Sequence, residues 1–363
     1  KRATTLARAM SAAGLHVTVV SGGEFVPVID NTGMDFVQLP PIRAMDRLFS
    51  GLADVNGEKI SKALKEERRD KLLSLFNNLS PNILMIEMYP FGRRQLKFEL
   101  TPLLETASRA DSKPVIVSSV RDILVEKDKP CREEEMIEKA KGYFDHILVH
   151  GDPSFIPFQR TFPRALELGD MLHYTGYVVE HDDITQSNRN LGKGEVIVSS
   201  GSGAVGELLL RSAIRVRPHT YLANAKWRLL AGHYLNEKVF QSIRDDAGEG
   251  VVVERARPDF IELLSNCRLS ISQGGYNTVM EVLATGAIGI AIPYAGGQET
   301  EQTLRAKLME ERGLIHQIPE TYLTDKALIN SVNGTQNERR GKTVTINLDG
   351  GNESAKLLAS WAR

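Results

Sequence analysis

Residues 272–302 read SQGGYNTVMEVLATGAIGIAIPYAGGQETEQ. An apolar run ends at Ser272, two glycines follow, and a segment with helical spacing starts at Tyr276 or Asn277. A second apolar run closes at Pro293 and opens into the polar loop Gly296-Gly297-Gln298-Glu299. Strand, glycine turn, helix, strand and polar loop make one repeating unit of an open parallel sheet, where the loops beyond the carboxyl ends of the strands carry the binding groups. Gly274 and Gly275 let main chain approach an anion closely, and the free N–H groups at the start of the helix attract phosphate. A diphosphate would be held there without a metal.

The same alternation extends in both directions, as a doubly wound sheet requires. Downstream of residue 194 the strands are EVIVSS, WRLLAG, VVVER, RLSIS and AIGIAIP, with helices predicted over 204–216, 235–244, 259–265, 276–285 and 299–310. Upstream they are HVTVVS, FVQLP, ILMIEM, PVIVSS and HILVHGD, with helices over 2–13, 58–79, 95–109 and 132–142. The polar interval HDDITQSNRNLGKGE, residues 181–195, is the best linker. The domains are therefore set at 1–180 and 194–363, joined by 181–193. ALINSVNGTQNERRGKTVTINLDGG reads as surface loops, and a last helix at 354–362 is either part of the second domain or folded back across the junction. LKEERRDK alternates charge and predicts an exposed helix face.

Composition narrows the function. The chain has 363 residues, 45 Lys plus Arg against 46 Asp plus Glu, and a net charge of -1, so no global basic field draws it to nucleic acid. Two cysteines, Cys131 and Cys267, have no partner spacing for a disulfide framework or a zinc site. The longest apolar candidate, LATGAIGIAIPY, is short and broken by Gly and Pro, which predicts a soluble or peripheral chain. The opening KRATTLARAM is already helical in spacing, which suggests that a first strand and loop lie upstream of Lys1.

Further motifs gather at the strand ends of the second domain. The turn Ser199-Ser200-Gly201-Ser202-Gly203 occupies the place equivalent to Ser272–Gly275, so Ser200, Gly201 and Ser202 could grip the same diphosphate from a second side. Simple turn geometry is the competing reading. Glu281, four residues after Asn277, suits the paired hydroxyls of a ribose, against the alternative of a solvated glutamate favoured by the helix dipole. Gln298, Glu299, Glu301 and Gln302 supply the acceptors and donors that a hydroxyl-rich ligand needs, or are a plain polar helix start. In the first domain Glu87, Arg121, His150 and Asp152 follow apolar strands, and YPFGRRQLKF brings Arg93 and Arg94 beside aromatics, suited to a phosphate-bearing or lipid-linked acceptor. Capping or salt-bridged residues, and a solvated loop, are the alternatives.

With SQGGYNTVMEVLATG and PYAGGQETEQ in view, the region 195–320, and more loosely the whole chain, resembles GT-B glycosyltransferases. The likeness is to family 28, which includes the N-acetylglucosaminyltransferase of peptidoglycan lipid synthesis, and to a related bacterial branch; MIEMYPFGRRQLKFEL, SSVRDIL and LVHGDP are further phrases of that kind. The resemblance implies two Rossmann-like domains facing across a cleft, the first for the acceptor and the second for a nucleotide sugar. It places the diphosphate on Gly274, Gly275, Asn277 and Thr278, beside the Ser272 already read at the strand end, the ribose on Glu281, the sugar on Glu301 and Gln302, and the base near Arg255, Ala256 and Phe260. It implies inverting transfer of a hexosyl or N-acetylhexosaminyl group from a UDP-sugar to an acceptor hydroxyl, with no metal and no cofactor beyond that co-substrate. The acceptor would be a glycan, a lipid-linked molecule or a small molecule, with Arg93 and Arg121 on its side. The setting implied is the cytoplasm, with peripheral contact at the inner face of the membrane. The family's catalytic histidine would lie in the loop upstream of Lys1; within this sequence Glu87, His150 and Asp152 are the candidates for the base. A nucleotide-sugar 2-epimerase and a non-catalytic sugar-nucleotide-binding partner are the rival readings.

Overall fold

The computed structural model describes residues 1–24, 32–45, 51–124, 130–180, 190–201, 206–294, 300–341 and 345–362. They belong to two compact units, Lys1–Val178 with Ile346–Arg363, and Val179–Thr345.

The first unit begins with α1 (Arg2–Ala12), the parallel pair β1 (Thr18–Ser21) and β2 (Asp35–Gln38), and the short antiparallel pair β3 (Arg43–Ala44) and β4 (Leu52–Ala53). Then come α2 (Lys62–Leu79), β5 (Ile83–Glu87), α3 (Lys97–Ser108), β6 (Val115–Arg121), α4 (Pro130–Tyr143), β7 (His146–His150) and β8 (Leu172–Tyr174). Strands β5 to β8 form a parallel sheet in sequence order. In β6, five consecutive residues, Ile116 to Val120, are buried, as expected of an inner parallel strand covered on both faces. Helix α2 starts where the Ser61 side chain accepts the Leu64 N–H. Its charged stretch has one buried exception, Arg68, whose Nε and Nη2 each bond Glu99 at 2.8 Å.

The second unit holds β9 (Val196–Ser199), α5 (Glu207–Val216), β10 (Trp227–Ala231), α6 (Glu237–Asp245), β11 (Val251–Arg255), α7 (Phe260–Asn266) and β12 (Leu269–Ser272). It continues with α8 (Tyr276–Ala284), β13 (Gly289–Ala291), α9 (Glu301–Glu311), β14 (His316–Gln317) and α10 (Asp325–Gly334). One six-stranded sheet runs β11-β10-β9-β12-β13-β14, every pair parallel. Numbered within the unit, this is the order 3-2-1-4-5-6 of dinucleotide-binding sheets, and the chain reverses its direction of winding between β9 and β12. Register aligns Ser199 with Ser272 across that pair, so their carboxyl ends are level. The core is built from Val196, Val198, Trp227, Leu229, Leu269, Ile271 and Ile290 of the strands against Leu209, Leu210, Ala213, Leu328 and Val332 of the helices.

Two expectations change. The stretch from Ala327 to Thr335, predicted as surface loop, is mostly helix α10: the Thr324 hydroxyl caps the Ala327 N–H at 3.1 Å, and Leu328 and Val332, one turn apart, are buried. Of the two places open to the last helix, α11 (Gly350–Trp361) takes the return to the first unit, which moves the 194–363 boundary; it packs on α1, with Ala355 and Leu358 against Ala7, Met10, Val117 and Leu148.

Candidate functional site

The winding reverses between β9 and β12, and parallel sheets of this order bind ligands beyond the carboxyl ends of the strands at such a point. Both strands end in the same local device. Ser199 Oγ accepts the N–H of Gly201 at 3.2 Å, and Ser272 Oγ accepts the N–H of Gly274 at 3.3 Å. Each of those glycines has a positive φ, 72° and 69°. The Gln273 N–H donates to the Ser199 carbonyl at 3.2 Å and ties the two turns together.

Gly275 is the start of α8, and its φ of -59° is one that any residue adopts. Among the described residues, its chain neighbours aside, a methyl group placed on it would meet no atom within 4 Å. Neither backbone conformation nor packing among the described residues asks for a glycine there, whereas a ligand approaching the main chain would. No side chain among the described residues caps α8, and Asn277 and Thr278 are half-buried in its first turn. Helices α6 and α10 of the same unit, by contrast, start from the capping side chains of Asn236 and Thr324. An anion at such a helix start gains about 0.3–1 kcal/mol when exposed and up to about 2 when partly buried.

Glu281 is buried on α8, which removes the reading of a solvated glutamate. Glu301 opens α9 and is likewise buried; its Oε1 accepts Arg305 Nη2 at 2.9 Å. Gln302 Oε1 accepts the Tyr294 N–H at 3.3 Å and fixes the start of α9 against the end of the β13 segment. Ser202 and Gln298 lie outside the described residues.

Other expected residues have structural parts. Ser200 is buried, with its hydroxyl donating to the Leu230 carbonyl and accepting the Gly232 N–H, so it clamps β9 to the turn after β10 rather than facing a ligand. The Arg255 guanidinium bonds the carbonyls of Gly232 and Leu235 at 2.8 and 2.9 Å, pairs with Glu237 and stacks 4.0 Å above the Phe240 ring. It holds the β10–α6 turn instead of a base.

In the first unit the three residues named for the catalytic base are each engaged elsewhere. His150 is fully buried between Ser119 Oγ (2.8 Å) and Thr175 Oγ1 (2.9 Å). Burial, and then the charge of Arg2, push its pKa well below 6.5, so the ring is neutral and enclosed. Glu87 gives one oxygen to Arg2 at 2.8 Å and the other to Arg93 at 2.6 Å. Burial raises its pKa, but Arg2, Arg93 and Arg121 outweigh that and hold it at about 2, a poor match for a base at neutral pH. Asp152 accepts the N–H groups of Ser154 and Asn347 at 2.8 and 2.9 Å and fastens the returning chain. Arg93 pairs with Glu87 at 2.6 Å, and Arg121, the last residue of the neighbouring β6, adds its charge to the field at the same carboxylate.

Two residues escaped the sequence reading. Arg305 is fully buried in α9, although its spacing of four from Glu301 was visible. His233 stands two residues beyond β10, and its Nε2 is buried with no hydrogen-bond partner among the described residues.

Comparison with known proteins agrees with this architecture. Residues 212–355 match the glycosyltransferase family 28 C-terminal domain. NDP-glycosyltransferase YjiC of Bacillus licheniformis is 23% identical, over 90% of this chain and 83% of its own length. Among solved structures, the glycosyltransferase SsfS6 of Streptomyces sp. SF2575 complexed with thymidine diphosphate is 16% identical with a TM-score of 0.58, covering 99% of this chain and 90% of that one. MurG of Acinetobacter baumannii is 12% identical with a TM-score of 0.55, covering 99% and 95%. The fold is GT-B, and the expected likeness to family 28 is upheld.

Proposed function

We propose that this chain, a glycosyltransferase of the GT-B type, moves a hexosyl or N-acetylhexosaminyl group from a UDP-sugar to an acceptor hydroxyl, with inversion and without a metal ion. The observation that carries the reading is the pair of Ser-x-Gly turns flanking the winding reversal, with Gly275 at a start of α8 that no side chain among the described residues caps or crowds. Backbone N–H groups of both turns and the dipole of α8 oppose the charge that builds on the departing diphosphate, which is the kind of preorganised stabilisation that lowers a transition state. In this scheme they do the work of a cation. Glu281 takes the ribose, and Glu301 with Gln302 takes the sugar. Glycosyltransferases of like fold have been solved with thymidine diphosphate and with UDP-2fluoro-glucose, which supports a pyrimidine nucleotide.

The attacking hydroxyl needs a base. Glu87, His150 and Asp152 are unsuited by their contacts, and we assign that role to none of the three. The acceptor is a glycan, a lipid-linked molecule or a small molecule. No helix among the described residues is long and apolar enough to cross a membrane, so work at the inner face of a membrane would be by peripheral contact.

Calorimetric titration of UDP, TDP and the bare nucleosides is the test. A diphosphate should bind at least about a hundredfold more tightly than its nucleoside, on the order of 3 kcal/mol from several N–H contacts. Gly275→Val should remove that difference while the thermal midpoint stays put, because its Cβ would meet no atom of the described residues within 4 Å, chain neighbours aside. Equal affinity for nucleoside and diphosphate sinks the site; turnover abolished by chelator and restored by magnesium sinks the metal-free scheme alone.

A further inference from the structure

Arg305 is fully buried, a setting that charged residues enter only when paired. Its Nη2 holds Glu301 Oε1 at 2.9 Å, and its guanidinium carbon lies 5.0 Å from the centre of the Tyr276 ring. Tyr276 is the first residue of α8, directly after Gly275, and Glu301 is the first residue of α9. One cation thus joins the helix start assigned to the diphosphate to the carboxylate assigned to the sugar. A buried ion pair adds little net stability, because desolvating both charges offsets their attraction. Geometry is the better account of its presence. A guanidinium can give a carboxylate a directional bond and lie over an aromatic ring at once, two tasks that a lysine does not combine.

We propose that Arg305 is a positioning residue for the sugar donor: it sets the Glu301 carboxylate at a fixed height relative to the Gly275 turn, so that sugar and diphosphate are met together. A carboxylate already held in place loses less freedom when it binds, and the gain falls on the sugar rather than on the nucleotide. The inference rests on the donor-site reading above.

UDP and TDP and their glucose and N-acetylglucosamine conjugates are titrated on the wild type, Arg305→Met, Arg305→Lys, Glu301→Gln and the Met/Gln double variant, with KM and kcat for the sugar donor alongside. Arg305→Met should weaken the sugar conjugate by about tenfold, as expected for one charge-assisted bond, and leave the bare diphosphate within about threefold. Lys should restore part of the loss. The double variant should be no worse than the poorer single, since both act through one carboxylate. Equal losses for conjugate and diphosphate, or additive losses in the double variant, overturn the proposal in favour of plain structural support. Should Arg305→Met fail to fold, Arg305→Lys and Glu301→Gln decide: an unchanged ratio of conjugate to diphosphate affinity in both overturns it. A wild type that binds none of these probes removes the donor-site reading itself, whereas a wild type that binds them beside an unaffected Arg305→Met removes only this inference.

Discussion

Glu281 shows how burial changes the argument at a single residue. Buried on α8, it is not the exposed carboxylate that a helix dipole alone would favour. If it accepts both ribose hydroxyls, Glu281→Gln keeps the shape but replaces one acceptor by a donor. Affinity for UDP should fall by about 1.5–3 kcal/mol, roughly one to two powers of ten. Titrating UDP against its 2′,3′-dideoxy analogue isolates the contact, since the wild type should discriminate strongly and the variant weakly; equal discrimination by both would place the ribose elsewhere. The glycine turn at Gly274, the helix start after Gly275 and the place of Glu281 on that helix were legible in the sequence because they lie within a few positions of one another. The contacts of Ser200, Arg255 and His150 were not legible, for the opposite reason. The partners of His150 are 31 and 25 positions away, and those of Arg255 are 23 and 20 away. No local pattern announces such bonds.

Helix α11 poses the same question at the scale of an element. Its amphipathic spacing predicts a helix, but an apolar face does not name the surface that covers it, and that surface proved to be α1 and the first sheet. Strand β8 was missed because three residues, Leu-His-Tyr, are too few to show alternation; α10 was missed because Asn, Ser and Gly in its sequence read as loop until Thr324 is seen capping it. Near its end α11 carries Trp361, stacked on His146 with ring centres 3.8 Å apart, and His146 Nδ1 lies 3.0 Å from His173 Nε2. Burial, and then His173, lower the pKa of His146; burial lowers that of His173, while Asp145 and Asp170 act weakly the other way. His150, enclosed, is lowered too. These imidazoles take up protons more readily in the unfolded chain than in the folded one, so stability is at its full value above pH 6.5 and falls as the pH drops below it. Urea melts of the first unit between pH 8 and pH 5 should show this loss, and His173→Phe should flatten it. A profile level through pH 6.5 in the wild type would mean that the three rings titrate alike in both states.

The whole molecule crosses between its units at two points, leaving the first at Val178 and returning at Ile346. Inside the first unit the two passages are stitched side by side: the Tyr177 N–H donates to the Asn347 carbonyl at 2.8 Å, the Gly350 N–H donates to the Tyr177 carbonyl at 2.9 Å, and Val178 bridges Asp349. Gly350 is needed there, since a methyl group on it would come within 2.3 Å of the Gly176 carbonyl oxygen. The chain has two tryptophans, and they fall one to each unit: Trp361 on α11, and Trp227 in the core of the second sheet, fully buried with its Nε1–H on the Leu222 carbonyl at 3.1 Å. Trp361→Phe therefore leaves fluorescence reporting on the unit that carries every residue assigned to the sugar donor, and Trp227→Phe leaves it reporting on the other. A ligand that binds only the folded state adds about 2.7 kcal/mol of stability at a hundred times its dissociation constant. UDP at that level should raise the Trp227-reported denaturation midpoint accordingly, and Gly275→Val should cancel the rise. Protection seen through Trp361 with none through Trp227 would put the nucleotide in the first unit, and the turns after β9 and β12 would then be turns and nothing more.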